Sequence, residues 1–231
     1  MTEQPASQKP LIIAIDGPAG AGKSTLACRL AARFGLLNLE TGAMYRAFAL
    51  KALETGTPVS SSADLTALTA TTSIRLEAGS NGNRVFLDGH DVTGRIRQQD
   101  VTEAASLVSV HPPVRSWMVS MQRLLGANGR VVMEGRDIGT EVFPAADIKI
   151  FLDASPEKRG ERRYQQLGES KDVAAEAVLR EIRERDERDR TRVQSPLRPA
   201  ADAIVIDSTS LSLEEVVATV EAVVTERLAA R

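Results

Sequence analysis

The sequence predicts an α/β fold, a parallel sheet with helices on both of its faces. Three observations predict it. Short, nearly continuous apolar runs recur along the chain, as expected for strands buried on both sides. Stretches with helical spacing alternate with them. A glycine-rich turn joins the first apolar run to the first helical stretch.

The elements follow in order. Leu11–Asp16 is the first strand, and a helix pattern runs from Gly22 to about Phe34, broken at Gly35. A short strand, Leu36–Glu40, leads into a second helix from about Gly42 to Leu53. Later strands are Val131–Met133, Ile148–Leu152 and Ala203–Ile206. Ser212 and Glu215 make a capping box before the last helix, about Leu213–Leu228. Trp117, Met118, Leu124 and Leu125 fall on a helical pattern and read as packing, Cys28 as a small core residue. His111 before Pro112-Pro113 marks a helix boundary, and Pro196 with Pro199 a rigid connector into the last strand.

Two stretches break this rhythm. Between Ile74 and Val92 the pattern turns period-two, with Asn81-Gly82-Asn83 and Asp88-Gly89 as turn signals, which reads as a small antiparallel insertion. From Arg180 to Arg192, eleven of thirteen residues are charged and Ile182 is the single large apolar one. So narrow an apolar stripe predicts an exposed helix that core burial does not hold down.

Composition narrows the function. With 42% hydrophobic and 26% charged residues among 231, the chain can build a sizeable core. A net charge of −2 and 3% aromatic residues argue against wrapping or stacking on polymeric nucleic acid, yet leave room for one small phosphate ester. A single cysteine excludes a disulfide framework and paired-cysteine zinc sites; two histidines, His90 and His111, leave little for a histidine metal site. No apolar run approaches the roughly 18–20 residues that span a bilayer. Met1–Pro10 reads as a polar tail without a signal-peptide core, so a cytoplasmic, soluble protein without a membrane partner is expected.

Gly17-Pro18-Ala19-Gly20-Ala21-Gly22-Lys23-Ser24 fits G-x-x-x-x-G-K-[ST], and Thr25 follows. It comes after a buried strand and opens a helix, the context its mechanism requires. Glycines let consecutive backbone N–H groups converge on one anion, and the positive end of the helix adds to the attraction. Lys23 is expected to reach β- and γ-phosphate oxygens, and the Ser24 hydroxyl to ligate Mg²⁺. A nucleoside-triphosphate site follows.

That loop serves kinases, switches and transporters alike, so the arginines decide more. Thr41 to Arg46 places a hydroxyl at a helix start and Tyr45-Arg46 one turn on, suited to a second phosphate, although a surface Tyr-Arg pair is often only solvated. Gly135-Arg136-Asp137 follows a strand end, where parallel sheets bind ligands, but a loop ion pair would look the same. Glu134 is a candidate ligand to a magnesium-bound water or a brace for that loop. Arg185, Asp189 and Arg192 share one helix face. Transfer to anything but water needs a cationic cover, and Arg159, Arg162 and Arg163 are placed to supply one.

From about Leu11 to the C-terminus the chain resembles the bacterial cytidylate kinases of the nucleoside-monophosphate kinase group. The likeness rests on Ile15-Asp16-Gly17-Pro18, Gly42-Ala43-Met44-Tyr45-Arg46, Glu134 to Gly139, Lys149 to Ala154, Arg185 to Arg190, and the insertion at about Ser61 to Gln99. It implies a P-loop kinase fold: a five-stranded parallel sheet, an enlarged monophosphate-binding region and a closing helical lid. It implies one kinase domain over 1–231, with core at about 11–60, 100–155 and 200–231, insertion at about 61–99 and lid at about 156–192. Thr41, Tyr45, Arg46 and Arg136 would hold the acceptor phosphate. Ser106, Arg115, Asp137 and Arg192 would surround the base, and Arg185 with Asp189 the sugar. Lys23, Arg136, Arg162 and Arg163 would act on the transferring group, with ATP as donor, CMP or dCMP as acceptor, Mg²⁺ as cofactor and a monomer as the working form. A kinase for UMP or another small acceptor, and a nucleotide-dependent switch without acceptor, are the competing readings.

Overall fold

A computed structural model describes residues 10–79, 82–167 and 174–229. The polar tail at 1–9, the turn residue Asn81 and the middle of the expected lid at 168–173 lie outside the described residues.

Five parallel strands form the main sheet: β1 (Ile12–Asp16), β2 (Leu37–Glu40), β6 (Val131–Gly135), β7 (Ile148–Asp153) and β8 (Ile204–Asp207). Their order is β2-β6-β1-β7-β8, so the two strands central to the site, β1 and β6, are neighbours, with Ile15 opposite Glu134. Alternation along β1 explains its apolar run. Ile13 and Ile15 face α1 (Lys23–Phe34) and α8 (Leu213–Ala229) through Leu26, Leu30, Val220 and Val224. Ala14 faces the opposite way, toward Met133, Val119 and Ile138. Helix α1 ends where Gly35 takes the left-handed conformation at φ 62° and its N–H bonds Ala31 O. The expected capping box opens α8: Ser212 N donates to Glu215 Oε2 at 2.8 Å, and Glu215 N to Ser212 Oγ at 3.2 Å.

A third apolar cluster lies beside the sheet. It packs α2 (Thr41–Glu54), α3 (Ser62–Thr69), α4 (Gln99–Val108) and α5 (Pro112–Leu125) around Phe48, Leu65, Val101 and Met118, with Trp117 at 5.2 Å from the Phe48 ring. The insertion is antiparallel as expected, with strands β3 (Ile74–Gly79), β4 (Gly82–Leu87) and β5 (His90–Asp91). It also contains α3, which the sequence reading lacked, because that helix buries only Leu65 and shows no stripe. Helix α4 was missed as well, although Val101, Ala104, Ala105 and Val108 carry a legible i, i+3, i+4, i+7 spacing.

Leu124, read as packing, is 77% exposed, and three further local expectations need correction. Asn83 is a β4 residue paired with Ala78, not part of a turn. Its buried amide mimics a strand at the sheet edge, accepting from Glu40 N at 2.9 Å and donating to Asn38 O at 2.8 Å, which clips the insertion to β2. Cys28 is half-buried rather than core. The charge-rich stretch is the third. It forms most of α7 (Ala175–Thr191), packed against α6 (Pro156–Leu167), and it buries Val178, Ile182, Asp186 and Asp189.

Ion pairs replace the missing apolar stripe. Arg159, 1% exposed, grips Asp186 through both terminal guanidinium nitrogens at 3.0 and 2.5 Å, and donates to Ala154 O and to Ala19 O of the glycine-rich loop. It thus anchors α7 to α6 and ties both to the glycine-rich loop. Arg159→Met should lower unfolding free energy by about 3–5 kcal/mol, since Asp186 would remain buried without its counter-charge. Denaturant titration checks this: a loss under about 1 kcal/mol would mean that α7 is held by other contacts.

Candidate active site

The site begins where the chain leaves β1. Gly17, Gly20 and Gly22 take φ of 147°, 77° and 100°, values open to glycine and strained for other residues. A Cβ at Gly17 would also collide with the Leu152 carbonyl, so the loop lies tightly against β7. Lys23 opens α1, is buried, and donates from Nζ to Pro18 O at 2.6 Å across the loop. Burial lowers its pKa, and the positive charges of Arg136 and Arg185 add to this against the opposing pull of Glu134.

The end of β6 gathers the neighbouring groups. Ser24 Oγ donates to Glu134 Oε1, and Thr41 Oγ1 donates to Glu134 O at 2.8 Å. Gly135 permits this approach, because a Cβ there would stand 2.7 Å from both Thr41 Oγ1 and Ile138 Cδ1. Burial raises the Glu134 pKa, and the nearby Glu40 charge raises it further. The Ser24 hydroxyl and the Glu134 carboxylate form a hard oxygen pair beside the loop, a donor set suited to Mg²⁺. Among the described residues there is no group of three or more His, Cys, Asp or Glu placed to hold a metal ion.

These elements wall a cavity of about 920 Å³, near the upper end of the usual size for small-ligand sites. Ala19 to Thr25 line its floor, while Gly17 and Pro18 lie behind the lining. Arg162 and Arg163 of α6 line the side toward β8. Arg162 is tethered there, donating to Ser208 O at 2.8 Å and to Ser208 Oγ at 3.2 Å.

Another part of the cavity wall holds the second set of residues expected from the sequence. Thr41, Tyr45, Arg46, Arg115, Arg136, Asp137, Arg185, Asp189 and Arg192 all line it. They form an interleaved charge network. Glu40 accepts from Arg46; Asp137 accepts from Arg115, which also donates to Ser109 O at 3.2 Å. Asp189 accepts from Arg136 Nε at 3.0 Å and Arg192 Nη1 at 3.3 Å. Burial opposes ionisation of Asp189, but Arg136, Arg185 and Arg192 together hold its carboxyl below the usual range.

Positive charge remains in excess on this wall. Buried donors on Tyr45 (Oη), Arg46 (Nε), Arg115 (Nε), Arg185 (Nε) and Arg192 (Nη2) have no acceptor among the described residues. Leaving a buried donor unpaired costs about 1–3 kcal/mol, so this wall is built to gain from an anion. Arg185 registers the same surplus: burial, then Arg136, pushes it down to about 10. Burial pushes the Tyr45 hydroxyl up to about 12, which keeps it a neutral donor.

Ser106 departs from expectation. It is buried beside the cavity without lining it, and its hydroxyl accepts from Arg188 Nε at 3.2 Å. The sequence reading assigned no site role to Asp16, Glu40 or Arg188, and took Arg188 only as the i,i+4 partner of Glu184. Asp16 and Glu40 were legible as charged residues closing strands at the ligand-binding edge of a parallel sheet. Nothing in the local pattern marks Arg188.

A glycine-rich anion loop with its lysine, facing a wall of guanidinium groups across one cavity at the sheet's carboxyl edge, defines a P-loop kinase. The fold agrees with that class: shikimate kinase from Bacteroides thetaiotaomicron superposes with a TM-score of 0.50 over 93% of this chain and 98% of its own, at 13% identity. The family model for cytidylate kinase matches residues 13–226. The cytidylate kinase of Pelotomaculum thermopropionicum is 52% identical over 207 residues, covering 89% of this chain and 92% of that protein. That of Enterococcus faecalis is 48% identical over 216 residues, covering 93% and 96%. The chain belongs to the cytidylate kinase family.

Proposed function

We propose that this protein transfers the γ-phosphoryl group of ATP to CMP and dCMP, with Mg²⁺ as cofactor. One observation carries the reading: the two anion-binding walls share a single cavity, the donor side built from backbone amides and Lys23, the acceptor side from Arg46, Arg136 and Arg185. An acceptor that already bears a phosphate satisfies the excess guanidinium donors; a neutral acceptor leaves them unpaired.

Residues 19–25 cradle the ATP phosphates, in the loop that Gly17 and Pro18 begin. Lys23, Arg162 and Arg163 offset charge that develops on the transferring group. Arg136, Arg46, Tyr45 and Thr41 hold the acceptor phosphate in line. Its oxygen, already anionic, forms the new P–O bond as the bond from the γ-phosphorus to the β–γ bridging oxygen breaks. ADP leaves with that electron pair, and no general base is demanded. When bound, Mg²⁺ neutralises β- and γ-oxygens; Ser24 would hold it directly and Glu134 through water.

Asp137, Arg115 and Arg192, which line the cavity, read the base. A carboxylate accepts from the exocyclic amine of cytosine and guanidinium groups donate to its ring nitrogen and carbonyl, whereas uracil reverses the amine and ring-nitrogen polarity. Arg185 and Asp189 face the sugar. Both Asp189 oxygens already accept from arginines, so a missing 2′-hydroxyl leaves no bare carboxylate, which supports dCMP as a second acceptor. Among the described residues no helix is long and apolar enough to cross a membrane. We place the protein as a cytoplasmic monomer with small-molecule partners and without polymeric nucleic acid.

The test is ADP release with ATP alone and then with CMP, dCMP, UMP, AMP or shikimate. Strong stimulation by CMP and dCMP is expected. Stimulation by another acceptor would reassign the substrate, and release without stimulation would make the protein a switch.

A further inference from the structure

We propose that Asp16 is a positioning residue, a strut that ties the acceptor-binding loop to the ATP-binding loop and so sets where Arg136 and Asp137 stand. This rests on reading Arg136 and Asp137 as acceptor-binding.

Asp16 is the last residue of β1, immediately before Gly17, and is 4% exposed. Its Oδ1 accepts from Ile138 N and its Oδ2 from Gly139 N, each at 2.7 Å. Those two amides open a π-helical turn, Ile138–Val142, that follows directly on Arg136-Asp137. The carbonyl of Asp137 accepts within that turn, from Glu141 N at 2.8 Å and Val142 N at 3.2 Å. The first amides of a helical turn have no partner inside it, and here a carboxylate from a different strand satisfies both. Space is tight around this contact. A Cβ at Gly139 would stand 3.3 Å from Asp16 Oδ2 and 3.2 Å from Lys149 Cδ.

One side chain therefore fixes the start of one loop to the end of the other. In-line transfer needs both phosphates placed to a fraction of an ångström, and a misplacement of about 1 Å can cost about 10²-fold in rate. A carboxylate suits the task because it offers two acceptors and no donor. An Asn side chain would turn an NH₂ group toward one of the two amides.

Asp16→Asn should reduce kcat/KM for CMP by about 10²-fold, narrow the CMP-over-UMP preference about tenfold, and leave ATP affinity within about threefold. Proportional losses with CMP and UMP, or ATP affinity falling as far as CMP affinity, would overturn the strut. In the wild type, a non-hydrolysable ATP analogue alone should slow hydrogen exchange at the Ile138 and Gly139 amides, because the loop it orders begins at Asp16. A response of these amides to CMP only would also overturn it. This measurement needs no turnover, and it decides the question even if Asp16→Asn fails to fold. Wild type inactive with CMP would sink the acceptor reading instead.

Discussion

Lys23→Met should lower kcat by about 10³-fold while changing CMP affinity by less than about threefold, the size seen when one preorganised charge donor is removed from a transition state. The lysine opens α1, is buried against the loop, and donates to Pro18 O at 2.6 Å. Phosphoryl transfer spreads charge over equatorial oxygens, and a cation fixed beside them lowers the barrier without rearranging. The acceptor wall has its own arginines, so acceptor binding should survive. A second readout follows from the lowered Lys23 pKa. A group with a depressed pKa is partly neutral above neutral pH, and the polyanionic triphosphate favours its charged form. ATP binding at about pH 8 should therefore draw in a proton, by the linkage between ligand charge and ionisation. Calorimetry in two buffers of different ionisation enthalpy should detect that uptake in wild type and lose it in Lys23→Met. Equal turnover by the two proteins would remove Lys23 from the chemistry.

Asp137→Asn should reduce kcat/KM for CMP by about 10–150-fold, the range for one bidentate base contact, and leave ATP affinity nearly unchanged. UMP turnover should fall far less, because an amide can donate where the carboxylate could not. Asparagine is the sharper probe than alanine because Asp137 also pairs with the buried Arg115. Truncation to alanine would strand that guanidinium, at a cost of about 3–5 kcal/mol, and mix instability with specificity. Steady-state kinetics with both nucleotides, alongside a thermal melt, separates the two effects. A CMP-to-UMP ratio unchanged by Asp137→Asn would mean that the base is read elsewhere on the wall.

Much of this architecture is legible in the sequence. The run Leu11–Asp16 is apolar at both parities because Ile13 and Ile15 face α1 and α8 while Ala14 faces α5, and continuous apolarity is what two-sided burial demands. The anion loop was legible because its glycines answer a local need, three positive φ values in six residues. The lining arginines were legible as a set from their spacing, and the family resemblance implied their roles, but neither gave their partners. Arg159 and Arg162 sit three apart on α6, yet one is buried against Asp186 and the other borders the cavity. No local pattern separates them, since their partners lie 27 and 46 residues away. The exposed reading of α7 failed for a related reason. Apolar periodicity registers burial by oil-like side chains and is blind to burial by matched charges, as at Asp186 and Asp189.

The sequence alone determined the five main strands, most of the helices, the triphosphate loop and the supply of guanidinium groups, because backbone propensity, apolar period and local turn chemistry act over a few residues. Tertiary structure alone decided which groups meet. The strand order places β6 beside β1 and so brings Glu134 to Ser24 across 110 residues, and it lets Asp16 reach Ile138 across 122. Such contacts depend on how the whole sheet assembles, and the free energy that selects them is spread over the packing of every layer around it.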